Sequence, residues 1–310
     1  MERKNFIENT NFFSVSDFRY GIDLKPIRTT YEENSFQIKG FDLCFSNALR
    51  RTLLNEISTM SIDKVYFYDN SSILNDEVIA HRLGLIPIFI SPKIIDYLKE
   101  KKLTKKLKIL FSFSINHPNT FSRNVSIYSN SIKLKNYSIL GNLFKNFSVK
   151  PAFKDILIAK LNPGQKIDCE CECLIATGNT HAKFSPVGTT FYKILPKIKI
   201  IGEIFGKEAL SLFQKCPVRV FDIEEVANCS MKRLTISYPN VCTLCKECLD
   251  TSDGFDTKIR IGRHSEKITF ITESTGVFSP EILFHRAIYL LVGKCNTSLL
   301  SLLHNFEKFM

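Results

Sequence analysis

The sequence predicts an α+β fold in which two apolar helices near opposite ends of the chain flank a strand-rich middle. The first helix is predicted over residues 41–57, where apolar side chains recur at helical spacing. The second is predicted to begin at Ser279, Pro280 and Glu281 and to run towards the C-terminus. Between them, short segments that alternate apolar and polar residues indicate antiparallel strands joined by polar turns.

The composition of the 310 residues is that of an ordinary globular protein, with 44% apolar and 24% charged residues. The formal net charge of +11 suggests an acidic neighbour, although a generally basic proteome explains it equally well. No apolar run is long enough to span a membrane, and the N-terminus lacks the apolar segment of a secretory signal. The ten cysteines are therefore expected to be reduced, which favours metal binding or burial over disulfides.

The first helix has one apolar face and a basic flank. Asp42 or Ser46 can cap its N-terminus. Arg50 and Arg51 lie off the apolar stripe, as in a core helix with a solvated flank. The stripe includes Phe45, Leu49, Leu53 and Ile57.

Residues 69–87 read as a turn, a short amphipathic helix and a buried apolar exit. Asn75 or Asp76 can cap this helix, and Gly84 suits a left-handed C-terminal stop. The helical periodicity explains the apolar side chains of this helix but not a set of four polar ones. Two of them lie one helical turn apart, as in half a metal site, but no HExxH motif or third ligand accompanies them, so polar contacts with another chain are favoured over catalysis. The four are Asp76, Glu77, His81 and Arg82.

The middle of the chain contains two features that bear on function. Residues 99–108 are rich in lysine, but no aromatic residues interleave to stack on bases, so a solvated face is favoured over a nucleic-acid patch. Cys169, Cys171 and Cys173 alternate strictly with polar residues, which predicts buried side chains on one face of a strand.

A C-x2-C-x2-C sequence occurs at Cys242, Cys245 and Cys248. This spacing lets a tight loop present three thiolates to zinc or to an iron–sulfur cluster, with Cys229 or Cys216 as a fourth ligand. A relic loop that no longer binds metal fits the sequence equally well.

The C-terminal helix carries an apolar stripe longer than its own domain needs for docking, which favours a partner helix. Its members are Phe284, Ile288, Leu291, Val292, Cys295, Leu299, Leu302, Leu303 and Phe306. No P-loop, GxGxxG or GxSxG motif accompanies it.

Taken together, these motifs resemble the alpha-like subunits of RNA polymerases. The segments FSNALRRTLLNEISTMSID and YDNSSILNDEVIAHRLGLIP resemble the family signature, and FITESTGVFSPEILFHRAIYLL resembles its C-terminal strand and helix. DILIAKLNPGQKID and HAKFSPVGTTFYKILP are similar to the larger alpha-like subunit shared by eukaryotic RNA polymerases I and III. The RNA polymerase II relative carries a cysteine zinc loop after GLIP, whereas this chain has no cysteine between Cys44 and Cys169.

The resemblance implies a split domain organisation, similar to the bacterial alpha N-terminal domain. A tail at 1–30 would precede a dimerisation domain of two helices and an antiparallel sheet, formed by 31–62 and 191–310. A ferredoxin-relic-like loop region would lie at 216–250 within this domain. A mostly β insert domain would occupy 63–190.

The resemblance also implies a non-catalytic assembly role in RNA polymerases I and III, which transcribe rRNA, 5S rRNA and tRNA. The expected partners are the smaller alpha-like subunit, the second-largest catalytic subunit and small zinc-bearing common subunits. Neither sequence-specific nucleic-acid contacts nor a membrane is expected, and the expected location is the nucleus, including the nucleolus. The alternative is the RNA polymerase II equivalent, or an archaeal-type member of the family with an iron–sulfur cluster.

The implied residue roles fall into two sets. The expected heterodimer interface comprises Phe45, Leu49, Leu53, Ile57, Phe284, Ile288, Leu291 and Leu302. The expected docking set for the large subunits comprises Arg50, Arg51, Asp76, Glu77, His81 and Arg82. Two rival functions are a metal or redox protein built on Cys242, Cys245 and Cys248, and a free-standing nucleic-acid binder that uses residues 99–108.

Overall fold

The computed structural model describes residues 21–101, 109–118, 123–135, 149–225, 232–249 and 258–309. Proximity of Cα atoms divides the chain into two compact units. The first unit takes its described residues from Met1–Ile27, Phe36–Ser46 and Tyr192–Phe270, and the second from Arg28–Ser35, Asn47–Phe191 and Ile271–Met310. The domain boundaries expected from the sequence are not tested by this grouping and stay a prediction.

Helices and antiparallel strands are combined in the structure, which confirms the α+β prediction. The helices are α1 (Leu43–Asn55), α2 (Asp76–Gly84), α3 (Pro92–Glu100), α4 (Gly206–Lys215) and α5 (Pro280–Phe309). The strands are β1 (Asp23–Thr29), β2 (Glu33–Lys39), β3 (Ser58–Asn70), β4 (Ile88–Phe89), β5 (Ile109–Asn116), β6 (Val125–Tyr128), β7 (Lys133–Leu134), β8 (Lys150–Pro151), β9 (Leu157–Leu161), β10 (Lys166–Thr177), β11 (Val187–Ile200), β12 (Phe221–Glu225), β13 (Lys232–Ile236) and β14 (Ile259–Ser274).

A six-stranded sheet in the order β7-β5-β10-β3-β4-β8 forms the core of the second unit. Cys171 of β10 lies opposite Phe111 of β5 and Val65 of β3, and directly opposed residues of antiparallel strands share a face. Cys169 and Cys173 are buried on the same side of β10, which confirms the prediction of a buried cysteine face. Burial raises the pKa of the Cys173 thiol, which keeps it protonated and inert at neutral pH.

The first unit has a core of stacked rings and a cluster of aliphatic residues. Phe270 stacks against Phe36 and Tyr192, with ring centroids 5.8 Å and 6.4 Å apart. The aliphatic cluster includes Leu212 of α4 and Leu234 of β13. A four-stranded sheet in the order β1-β2-β14-β11 supplies several of these side chains.

The predicted caps of two helices have different outcomes. Asp42 caps α1, because its Oδ1 accepts a hydrogen bond from Cys44 N at 2.8 Å, whereas Ser46 lies inside the helix and donates to Asp42 O. The prediction of a left-handed stop at Gly84 is wrong. Gly84 is the last residue of α2, and Leu85 ends the helix in the right-handed region, where its N–H donates to His81 O and Arg82 O.

The long helix α5 does not have the character of a membrane span. Within the described segments, no helix combines the length and the apolarity that crossing a bilayer requires.

Candidate interaction surfaces

The first turns of α5 are anchored in the second unit. Leu283 and Ala287 are completely buried. Arg286 donates to Pro92 O at 3.1 Å and forms an ion pair with Asp96, so it ties α5 to α3. Its guanidinium also lies over the ring of Phe278, 5.6 Å from the centroid. This anchor fixes the direction in which the rest of α5 leaves the unit.

We expect Arg286→Ala to lower the free energy of unfolding by about 2–4 kcal/mol, because it removes a charge-assisted hydrogen bond, an ion pair and a cation–π contact from a largely buried side chain. Urea unfolding of the full-length protein measures this change. Arg51→Ala is the matched control, since Arg51 is exposed and makes no hydrogen bond to another described residue. Equal effects of the two substitutions would contradict the anchoring role.

Beyond Leu291, every described side chain of α5 is exposed. One face of this segment is apolar and continues the helical spacing of the first turns. It is offset from the buried face that Leu283 and Ala287 form. The exposed Lys294 continues that second face, and its Nζ contacts Glu56 Oε1 at 2.5 Å. We call the exposed face the α5 stripe, and it consists of Ile288, Val292, Cys295, Leu299, Leu302 and Leu303.

The structure divides the predicted heterodimer residues into two groups. Phe45, Ile288 and Leu302 are about half exposed, and Phe284 and Leu291 are partly buried. The chain itself buries the other three side chains, so in this arrangement they offer no surface to a partner. These are Leu49, Leu53 and Ile57. The interface assignment as a whole stays a prediction.

The turn before α2 is held by a polar network that the sequence only partly indicated. Asn70 Nδ2 donates to Leu74 O at 2.9 Å and to Asp76 Oδ1 at 2.5 Å, while Asn70 Oδ1 accepts from Ser72 N and Ser72 Oγ. Asn75 occupies the N-cap position without a side-chain hydrogen bond to the helix. Asp76 therefore stabilises the turn as well as facing solvent.

The predicted docking side chains have different environments. Arg82 Nη2 donates to Leu157 O at 2.7 Å, so Arg82 joins α2 to β9. Arg50 is also engaged inside the chain, where its Nε and Nη2 bond Asn47 Oδ1. The side chains of Glu77 and His81 are exposed and make no hydrogen bond to another described residue. Glu77 and His81 thus remain available for a partner in a way that Arg82 is not.

Three exposed apolar side chains accompany Glu77 and His81, and reasoning from the sequence did not select them. Ile73, Val78 and Leu85 lie before, within and after α2. For Val78, the available signal was its position off the stripe that the buried Ile79 and Leu83 form on α2. We call Ile73, Glu77, Val78, His81 and Leu85 the α2 surface, which combines apolar area with unpaired polar groups.

Four cysteines of the first unit line one small cavity. They are Cys216, Cys242, Cys245 and Cys248. Two backbone N–H groups point at sulfur, from Val220 to Cys216 Sγ at 3.3 Å and from Leu244 to Cys242 Sγ at 3.4 Å. Positive φ angles at Leu244 (59°) and Lys246 (65°) bend the loop between the thiols.

The cavity brings these thiols together without arranging them as a complete ligand set. Within the described parts of the chain, no group of three or more cysteine, histidine or acidic side chains could hold a metal. Burial raises the pKa of Cys248 to about 11, so that thiol is protonated at neutral pH and would have to lose its proton to bind a metal. Cys229, the other suggested ligand, lies outside the described residues. The zinc or iron–sulfur site stays a prediction, which metal analysis of anaerobically purified protein tests.

A profile of the RNA polymerase Rpb3/Rpb11 dimerisation domain matches residues 35–295 of the chain. The chain belongs to this family. The match includes the buried start of α5 and ends at Cys295, within the α5 stripe.

Several curated RNA polymerase subunits are similar to this chain over most of its length. The DNA-directed RNA polymerases I and III subunit rpac1 of Dictyostelium discoideum is 35% identical over 295 residues, covering 92% of this chain and 83% of the relative. The human RNA polymerases I and III subunit RPAC1 is 34% identical, with 85% and 80% coverage. The RNA polymerase II subunit rpb3 of Dictyostelium discoideum is 28% identical, with 91% and 95% coverage.

Proposed function

We propose that this chain is the larger alpha-like subunit of RNA polymerases I and III and acts as a non-catalytic assembly scaffold. In Dictyostelium discoideum, the relative named as a subunit of polymerases I and III is 35% identical to this chain, whereas the relative named as a polymerase II subunit is 28% identical. In this proposal the chain works in the nucleus, including the nucleolus, and supports transcription of rRNA, 5S rRNA and tRNA.

The observation that carries the scaffold role is the α5 stripe. A monomeric protein rarely exposes so many large apolar side chains on one continuous helix, and such a surface marks an interaction site. Membership of a dimerisation-domain family supports a polymerase subunit as the occupant. The proposed partner is the smaller alpha-like subunit, whose own helix would cover the stripe in a pseudo-twofold heterodimer.

The α2 surface is the proposed docking site for the second-largest subunit. It is apolar at Ile73, Val78 and Leu85, and Glu77 and His81 add unpaired polar groups that can set the orientation of a partner. Contacts with small zinc-bearing common subunits complete the proposed assembly.

Purification of the tagged full-length chain from its own cells, followed by mass spectrometry, tests the proposed function. We expect the smaller alpha-like subunit and the large subunits of both polymerases I and III. Recovery of polymerase II large subunits instead would overturn the assignment, and recovery without any polymerase subunit would overturn the scaffold role.

We expect Glu77→Arg with His81→Glu to reduce recovery of the second-largest subunit while the heterodimer stays intact, because both substitutions reverse or add charge on the α2 surface. Quantitative mass spectrometry of the purified complex measures the two ratios. Glu100→Arg, at an exposed position of α3, is the control for charge. Loss of the heterodimer itself would show that Glu77 and His81 stabilise the fold instead.

A further inference from the structure

A basic surface covers one face of strands β11 and β14 in the first unit. In the first half of β11, the ring of Tyr192 stacks on Phe270, in the second half of β14. Just after β11, Ile201 N donates to the O atom of Lys258, just before β14, at 2.7 Å. The start of one strand therefore lies beside the end of the other, so the two strands run antiparallel. Side chains that point inwards, such as Ile198 and Ile261, pack against the aliphatic cluster. The outward side chains form what we call the basic face, which consists of Lys197, Lys199, Arg260, His264 and Lys267.

The positive charges of the basic face lie close together. Partial burial and the positive charges of Lys197 and Lys267 lower the pKa of His264, so a residue of β11 and a residue of β14 act on the same imidazole. Residues two apart on a strand are about 6.6 Å apart and adjacent strands about 4.8 Å apart, so the charges form a dense array. No described carboxylate forms an ion pair with any member of the face.

Protection of a sheet edge does not account for every charge of this array. Lysine on an edge strand prevents unwanted strand pairing, and this could explain Lys197 and Lys199, since β11 is the last strand of its sheet. Lys267 lies where β14 is an interior strand, because β2 runs beside β14 from about Lys267 to Ser274, whose N–H donates to Glu32 O at 2.7 Å. Arg260 lies on the part of β14 that extends beyond β2. Like charges on neighbouring strands destabilise a sheet, so the array lowers stability unless an anion neutralises it.

We propose that the basic face binds the sugar–phosphate backbone of a nucleic-acid duplex without reading its sequence. Protein–protein interfaces centre on apolar and aromatic anchors and are depleted in lysine, whereas nucleic-acid interfaces are strongly positive. Four members of the face are lysine or arginine, and none is a phenylalanine, tyrosine or tryptophan on which an unpaired base could stack. Gly262 lies among them with nothing within 4 Å of the position of a Cβ atom, which leaves room for a backbone to approach closely.

Fluorescence anisotropy of a labelled 20-base-pair DNA duplex tests this proposal with the full-length protein over a series of salt concentrations. We expect Lys197→Glu, Lys199→Glu and Arg260→Glu together to weaken binding on the order of tenfold or more. The slope of log affinity against log salt should fall by about 0.9 for each phosphate that the variant no longer neutralises. The milder glutamine triple variant should show a smaller loss in the same direction, and the Tm of both variants should be no lower than that of the unmodified protein, since both remove like charges from neighbouring strands.

The charge-matched control also replaces three basic residues by glutamate, but on the surface of the second unit. Lys101→Glu, Lys150→Glu and Lys160→Glu substitute exposed lysines of the second unit and should leave affinity within about threefold. Equal weakening by both triple variants would overturn the proposal, because net charge alone would explain binding. Absence of duplex binding together with salt-sensitive binding of a polyglutamate peptide would also overturn it and would assign the face to an acidic protein. The proposed polymerase assembly is judged separately by copurification, so either hypothesis can fail alone.

Discussion

Replacing Ile288 and Leu302 together by aspartate is expected to abolish the proposed heterodimer while leaving the isolated chain folded. Both side chains are more than half exposed, at 52% and 56%, so the chain's own core does not depend on them. Covering an aliphatic side chain contributes about 1.5–3 kcal/mol. Removal of two such side chains corresponds to about 10²–10⁴ in affinity. A buried, unpaired carboxylate adds a further desolvation cost.

Copurification of the smaller alpha-like subunit with the tagged chain measures this effect, and circular dichroism checks the fold. Thr297→Asp with Ser301→Asp is the matched control, since it adds the same charge to the same exposed helix on the face away from the α5 stripe. An intact heterodimer from Ile288→Asp/Leu302→Asp would refute the proposed interface. Loss of the heterodimer in the control as well would mean that the whole circumference of α5 is buried in the complex.

The second large effect concerns Leu53, which is completely buried although its position on α1 suggested an interface residue. We expect Leu53→Ala to lower the free energy of unfolding of the full-length chain by about 2–5 kcal/mol, because it leaves a cavity in the core. Chemical denaturation of the purified protein measures this loss. Leu299→Ala is the matched control, since the same residue type is 58% exposed on α5 and should change stability by less than about 0.5 kcal/mol.

The order of the two effects should reverse when affinity for the heterodimer partner is measured instead of stability. Leu299→Ala is expected to weaken the heterodimer, whereas Leu53→Ala should leave its affinity almost unchanged under conditions where the chain is folded. If Leu53→Ala instead weakens the heterodimer without destabilising the chain, Leu53 contacts the partner and the arrangement of α1 differs in the complex.

The polar residues around α2 show which features of a site can be predicted from local sequence and which cannot. The helix, its turn chemistry and its buried side chains follow from spacing and from the preference of asparagine and serine for turns. The role of Arg82 does not follow, because its acceptor, Leu157 O, lies 75 residues away in the sequence. The end of α2 does not follow either, since glycine permits a left-handed stop but does not require one.

The cysteines show the same limit in another form. Strict alternation along β10 is a local pattern and is sufficient to predict three buried thiols on one face. Cys216 and the loop of Cys242, Cys245 and Cys248 meet at one cavity only because α4 and the loop pack on the same aliphatic cluster. Ligand spacing in the sequence can suggest a site but cannot establish whether the thiols adopt a metal-binding arrangement.

The sequence by itself determined the α+β class, the two amphipathic helices, the alternating strands and the family, because periodicity and long motifs are local properties of the chain. Only the tertiary structure decided that Leu49 and Leu53 of α1, and Ile57 just after it, are buried in the chain's own core, while α5 leaves a continuous stripe uncovered. The physical reason is that an apolar stripe on a helix predicts only that the stripe is buried against some other surface. Which surface covers it depends on residues far away in the sequence or on another chain.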